Sequence, residues 1–315
     1  MSRVAAIDCG TNSIRLLIAD LTAAGLIDVH REMRVVRLGE GVDRTGLLAP
    51  QAIERTRLAL VDYADLISQN DVEAIRMVAT SASRDAGNAE DFRVMVRQSL
   101  GVEPEVITGL DEAALSFAGA VAGLPGIGEQ PPDTKPGTLL LADIGGGSTE
   151  LVLGEPASRI VLAAHSMDVG CVRMTERHLR SDPPLAQEIE ATLVDVRAAL
   201  ARAAEDVAVR GATGFVGVAG TVTTVAAIAL ELAAYDPVAI HGSVLSYQQV
   251  AEVTARLLSM SRDQRAALPV MHPGRVDVIG GGALVLRAVM EFVGAEQVLI
   301  SEHDILDGIA LSIAR

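Results

Sequence analysis

Twice in this chain a hydrophobic run ends in an aspartate and is followed by a polar turn that opens with glycine. In AAIDCGTNSIRLLIAD (residues 5–20) the acid is Asp8, and in LLADIGGGSTELVLGE (residues 140–155) it is Asp143, with Glu150 beyond the turn. The two stretches align without gaps, so that Asp8 falls on Asp143, Gly10 on Gly145, Ser13 on Ser148 and Leu16 on Leu151, 135 positions apart. Glycine lets backbone N–H groups come close to an anion, and hydroxyl side chains add donors. A carboxylate at a strand end is placed to hold a hard cation, directly or through water. Each copy therefore reads as a hairpin that offers donors to phosphate. Two such hairpins in two domains, facing each other across a cleft, would hold a phosphate chain from both sides.

Attack on a phosphoanhydride needs a cation, anion donors and a group that orients and deprotonates water, because the terminal phosphate repels a nucleophile. Asp8, Asp143 and Glu150 can supply an oxygen-rich site for Mg2+, or for Mn2+ in its place. Arg84 follows ATSAS in a loop, where a guanidinium can grip phosphate with two N–H groups. Glu112 begins a helix after a strand, where a carboxylate can point into a cleft. Each also has a plain structural reading. Glu112 could complement the helix dipole. Arg84 could pair with Asp85, and Glu150 with an arginine. Arg15, at the place of Glu150 in the first copy, suits either phosphate or such a pair. His165, His241 and His303 stand alone and read as structural, and Cys9 reads as a small buried residue.

These side chains need a scaffold that strands and helices build in alternation. Strands are expected at residues 4–7, 14–19, 29–36, 74–80, 105–109, 140–144, 159–165 and 214–220. A polar turn is expected over 81–91. Helices are expected from Pro50, over 92–100 and 110–123, and in a long stretch after 181–184, with Asp182 as its cap. Further helices follow over 221–232, 247–258 and 263–267. RVDVIGGGALVL is expected to repeat the strand, glycine, helix order, and the chain to close on a strand and a helix. The mixture is α/β. GLPGIGEQPPDTKPG (residues 123–137) is the clearest break and marks a domain boundary. The expected division is 1–124 with a C-terminal helix over 302–315, and 125–301.

Composition narrows the chemistry. The 315 residues carry a formal charge of −15, which disfavours nucleic acid or an anionic membrane as partner. Aromatic residues make up 2%, too few for stacking platforms on single-stranded nucleic acid. Lys135 is the sole lysine and lies in the Pro/Gly-rich break, so a Walker loop is excluded. GVAGTV and IGGGAL match a dinucleotide fingerprint only loosely. Two cysteines make neither a disulfide framework nor a zinc site and suit a reducing cytoplasm. The uncharged stretch 212–230 is long enough to span a bilayer, but its glycines and threonines read as a buried strand, turn and helix.

The motifs resemble those of the exopolyphosphatase/guanosine pentaphosphate phosphatase family (Ppx/GppA), within the actin/Hsp70/sugar-kinase superfold. ATSASRDAGNAEDF, VITGLDEAALSFAGA, DVGCVRMTE, VGVAGTVTTVAAI and DVIGGGALVL join the two hairpins in family order across almost the whole chain. The length resembles that of the short actinobacterial members without a C-terminal helical domain. The resemblance implies that Glu112, in Gly109-Leu110-Asp111-Glu112-Ala113, activates the attacking water. It places Asp143 and Glu150 near the metal, and Asn12, Ser13, Arg84, Gly145, Gly146, Gly147, Ser148, Gly220, Thr221 and Thr223 on phosphate. It implies a cytoplasmic homodimer acting on inorganic polyphosphate or guanosine pentaphosphate. A kinase or a non-catalytic nucleotide-binding regulator of the same superfold is the alternative. Two positions depart from the family: Asp111 stands where glutamate is usual, and Ile305-Leu306-Asp307-Gly308 lacks an arginine.

Overall fold

The computed structural model describes residues 2–23, 25–124 and 137–313. The Pro/Gly-rich stretch 125–136, Lys135 included, lies outside them. The chain forms two compact units, 1–122 with 304–315, and 123–303. Their limits differ by two residues from the division expected at 124/125 and 301/302.

The first unit holds a five-stranded sheet of β1 (Ser2–Cys9), β2 (Ser13–Thr22), β3 (Gly25–Val35), β4 (Ala74–Ala79) and β5 (Glu105–Val106), in the order β3-β2-β1-β4-β5. The second holds β6 (Leu139–Ile144), β7 (Thr149–Glu155), β8 (Ile160–Met167), β9 (Gly214–Val218), β10 (Val244–Ser246) and β11 (Gln297–Ile300), in the order β10-β11-β9-β6-β7-β8. Both begin with an antiparallel meander of three strands and then add parallel strands beside the first. The second sheet is thus the first plan with β10 added at its edge. Register repeats as well: Asp8 faces Arg15 as Asp143 faces Glu150. Even the bulge recurs at the matching place, between Ile18 and Ala19 in one meander and between Leu153 and Gly154 in the other. The duplication seen as sequence identity is a duplication of fold.

Both faces of the first sheet are covered, so β1 and β2 are apolar almost throughout. Ala5, Ile7, Cys9, Ile14, Leu16 and Ile18 pack on one side with Tyr63 and Phe92. Val4, Ala6, Leu17 and Ala19 pack on the other, against Ile305, Leu306 and Ile309 of the helix Ile305–Ile313. The period of two then puts Asp8 and Arg15 on the side of that helix. The helix Gly109–Gly123, which carries Glu112, crosses it at glycines. A Cβ on Gly119 would overlap the Asp304 carbonyl oxygen, and one on Gly308 the Leu115 carbonyl oxygen. Backbone cannot yield as a side-chain tip can. Gly119→Ala therefore costs about 1–3 kcal/mol of stability, read by chemical denaturation, although alanine has the better helix propensity.

Several local expectations are corrected. Residues 81–91 are not a plain turn. Ser83 and Arg84 donate backbone N–H groups to the Thr80 carbonyl, closing the short helix Ser81–Asp85, and the next helix already starts at Ala89. The strand expected at 275–278 is absent. Arg275 N–H reaches His272 O and Val278 N–H reaches Arg275 O, so these residues turn directly into the helix Ile279–Val293. The sheet position beside β9 is filled by β11 instead. Asp182 does not cap the helix Ala186–Asp206. Leu185 is the cap residue, with Glu188 accepting its N–H at 2.9 Å, while Asp182 accepts from the Arg262 N–H and from Arg265 Nη2. The stretch 212–230 is β9 and the helix Ala219–Ala229, and among the described residues no helix is long and apolar enough to cross a membrane.

Candidate active site

In the first unit, β1 ends at Cys9, and Gly10 N–H donates to Ser13 O at 2.9 Å to close the hairpin. The tip is held from behind. Asn12 O accepts from the N–H groups of Val36 and Arg37, Thr11 O accepts from Gly39 N–H, and the Thr11 and Ser81 hydroxyls meet at 2.8 Å. Arg37 sits at φ 50°, in the left-handed region, to make this contact. Asp8 is buried. Its Oδ2 accepts from Arg15 Nε at 2.9 Å and from Nη2 at 2.6 Å, and Arg15 Nη1 also pairs with Asp304. Asp8 Oδ1 is buried with no hydrogen-bond partner among the described residues. Burial pushes the Asp8 carboxyl above the usual aspartate range, against the pull of Arg15. Of the two readings open for Arg15, the structure shows the ion pair.

Glu112 lies in the first turn of its helix and is 8% exposed. Thr108 and Asp111 make the cap reciprocally: Asp111 N–H donates to Thr108 Oγ1 at 3.1 Å, while Thr108 N–H and Oγ1–H donate to Asp111 Oδ2. The acid pair is thereby divided. Asp111 caps the helix at the surface, a task aspartate performs well, and Glu112 is left to face inward. Arg84 Nη1 donates to Ile107 O at 3.0 Å and to Glu112 Oε2 at 3.3 Å. The structure thus brings together two residues chosen from separate motifs.

In the second unit the turn after β6 repeats the closure, with Gly145 N–H on Ser148 O at 3.0 Å. Its carbonyls point one way. Gly145 O accepts from Cys171 N–H, Gly146 O from the N–H groups of Val172 and Arg173, and Gly147 O from Arg173 Nε at 2.7 Å. The amides of Gly146, Gly147 and Ser148 have no protein acceptor among the described residues. A run of amides without a protein acceptor has the chemistry to take an anion. Gly170 makes the approach possible, since a Cβ there would sit 2.5 Å from Gly146 O. Asp143 and Glu150 face each other across β6 and β7, 6% and 1% exposed, and Ser166 Oγ donates to Glu150 Oε1 at 2.7 Å. Among the described residues no three His, Cys, Asp or Glu side chains gather into a metal cage.

The third glycine loop follows β9. Ala219 takes φ 72° and Gly220 opens the helix, whose cap Val218 supplies no side-chain acceptor. The Arg275 guanidinium lies flat against Gly220, where a Cβ would come 2.5 Å from Cζ, and its Nη1 donates to Thr224 Oγ1. Thr221 packs on Cys171 and on Gly282. The Thr223 hydroxyl is 2.7 Å from the Tyr235 hydroxyl. Sequence reasoning missed Gly170, Arg173, Tyr235 and Arg275. Gly170 and Arg173 stand in a quoted motif, but only the fold shows what they touch.

Both cysteines are buried, and burial raises both thiols above their usual range, so neither offers a ready thiolate nucleophile. The three histidines read as structural make contacts within the second unit. His165 pairs with Asp206, His241 bonds Gly123 O and the Glu302 N–H, and the His303 ring meets that of His241 edge-on.

The chain is 52% identical over 327 aligned residues to a Mycobacterium tuberculosis protein named exopolyphosphatase 2, covering 100% of this chain and 99% of that one. The crystal structure of an exopolyphosphatase-like protein superposes with a TM-score of 0.91 at 42% identity, over 99% of this chain and 97% of the other. The Aquifex aeolicus member of the Ppx/GppA protein family superposes with a TM-score of 0.80 at 30% identity, over 99% and 97%. Residues 17–315 match the model of the Ppx/GppA phosphatase family. By this match and by the relative that is 52% identical over the full length of this chain, the chain belongs to the Ppx/GppA phosphatase family.

Proposed function

We propose that this chain is an exopolyphosphatase that hydrolyses the terminal phosphoanhydride of inorganic polyphosphate and releases orthophosphate. The observation that carries this reading is the second hairpin, where free amides of Gly146, Gly147 and Ser148 stand beside two buried carboxylates. Amides suit phosphate oxygens, and carboxylates suit the cation that accompanies them.

The residues fit Mg2+. Like charges directly opposite on neighbouring strands destabilise a sheet, and a cation at Asp143 and Glu150 would relieve this. In the first unit, Asp8 Oδ1, buried without a partner among the described residues, is by itself an oxygen of the right kind. Mg2+ typically takes one or two carboxylates and completes its shell with water and phosphate oxygens, so a three-carboxylate cage is not required. When bound, Mg2+ neutralises charge on the phosphate oxygens under attack. Glu112 accepts the proton of the attacking water, and Arg84 fixes the orientation of its carboxylate. Asn12, Ser13, the Gly145–Ser148 turn and the Gly220 loop bind phosphate, Gly220 and Thr221 through their amides. Arg275 adds a guanidinium to that loop. The shared sheet plan of the two units supports the actin/Hsp70/sugar-kinase superfold, and the family supports a cytoplasmic homodimer.

The test is phosphate release by purified protein from short polyphosphate, long polyphosphate, guanosine pentaphosphate and ATP. Polyphosphate should be cut fastest with Mg2+, and release should stop on chelation and return when Mg2+ is restored. Guanosine pentaphosphate presents the same terminal bond, and its rank in the panel separates the two activities of the family. Binding of ATP with no release from any substrate would leave the regulator reading.

A further inference from the structure

Thr223 belongs to the loop proposed to hold phosphate, but its single hydroxyl proton is committed elsewhere. The Tyr235 hydroxyl lies 2.6 Å from Glu302 Oε1 and 2.7 Å from Thr223 Oγ1. A carboxylate has no proton to give, so the phenol donates to Glu302. Its oxygen must then accept the Thr223 hydroxyl proton. Burial and the nearby Glu302 push the phenol far above its usual range, which keeps its proton in place. The donor order is Thr223 to Tyr235 to Glu302, and Thr223 Oγ1 keeps only lone pairs, which repel phosphate oxygens.

Its neighbours are held as well. Thr224 donates to Gly220 O at 2.6 Å and accepts from Arg275, and Thr221 Oγ1 is packed against Gly282, where a Cβ would come within 2.5 Å of it. The donors that remain are main-chain amides at the start of the helix Ala219–Ala229, where the first N–H groups have no partner within the helix.

We propose that Tyr235, oriented by Glu302, is a positioning residue for the phosphate loop, fixing the first helical turn through Thr223 so that the loop binds phosphate by its amides alone. This rests on the phosphate-binding reading of the loop. Glu302 is itself anchored: its N–H donates to His241 Nδ1, and His241 Nε2 bonds Gly123 O. The chain of contacts ties the loop to residues 123 and 302–303, where the backbone enters and leaves the second unit.

The experiment is a double-mutant cycle of Tyr235→Phe and Thr223→Val. It is read as KM and kcat on long-chain polyphosphate and as the calorimetric Kd for orthophosphate. Each single change should raise KM and Kd about tenfold and hold kcat within about twofold, and the double variant should be no worse than either alone. Glu302→Gln, which keeps the packing but lets the phenol proton turn, should shift both constants the same way by a smaller factor. A Tyr235→Phe protein that only melts earlier, with KM and Kd of wild type, would overturn the proposal. So would additive effects, which would mean that Thr223 meets the ligand on its own. If Tyr235→Phe does not fold, Glu302→Gln with unchanged Kd overturns it equally. Wild-type protein that binds orthophosphate but releases none from polyphosphate would sink the exopolyphosphatase reading and leave the Kd cycle to judge Tyr235.

Discussion

Glu112→Gln lowers kcat for phosphate release from polyphosphate by about 10²–10⁴-fold and leaves the fold intact. Glutamine has the shape of glutamate, keeps an oxygen that can accept from Arg84 Nη1, and lacks only the ability to take up a proton. The helix does not depend on it either, because Thr108 and Asp111 already make the cap. The competing account is that Glu112 merely complements the helix dipole. That account gives a stability loss of about 0.3–1 kcal/mol and no change in kcat. Steady-state kinetics and a denaturation curve on the same preparation separate the two. Activity that survives the substitution removes Glu112 from the mechanism and leaves Arg84–Glu112 as a structural pair.

What could be read from the sequence is what repeats or lies close along the chain. The 135-residue duplication showed both hairpins and put Arg15 at the place of Glu150, while the pairing of each with the aspartate across its hairpin is visible only in the structure. The motif around Glu112 contained its own cap, so its place at a helix start was legible. Contacts that depend on distant chain were not. Asp304 reaches Arg15 across 289 positions, and no local pattern announces it. Gly119 and Gly308 look like poor helix residues until the two helices are seen to touch at the backbone. RVDVIGGGALVL suggests a strand before its glycines because it repeats the strand, glycine, helix order of GFVGVAG and TVTTVAAIALEL, but β11 fills the sheet position and the backbone N–H groups close turns instead. The threonines after Gly220 are the subtlest case. The family resemblance placed Thr221 and Thr223 on phosphate, and only the positions of Tyr235 and Gly220 O show where the protons of Thr223 and Thr224 go.

Arg15→Met destabilises the protein by about 3–5 kcal/mol at neutral pH in metal-free buffer, because it strips the counter-charge from two buried acids. Asp8→Asn, which touches the same cluster, does the reverse. Asp8 and Asp304 share one guanidinium, so the cluster carries an excess negative charge, and Asp8 Oδ1 has no donor. Burial raises the Asp8 carboxyl above its unfolded value of 3.8, so around that value the folded chain binds the proton more tightly than the unfolded one. By linkage, stability from this group is fully present below the unfolded value and is lost as pH rises through the folded one. Above the unfolded value the buried Asp8 is therefore a net cost, and Asp8→Asn removes it, for a gain of about 0.5–2 kcal/mol together with loss of activity. That gain fades as pH falls through the raised folded value and is gone below the unfolded one, where Asp8 is protonated in both states. The Arg15→Met penalty shrinks over the same range, since a protonated Asp8 needs no counter-charge. Denaturation curves at pH 7 and pH 4 check both signs, and a penalty equal at the two values would show that packing, not charge, is what Arg15 supplies. Added Mg2+ should close the gap between wild type and Asp8→Asn at pH 7, because a cation on the unpartnered oxygen offsets the charge that the asparagine lacks.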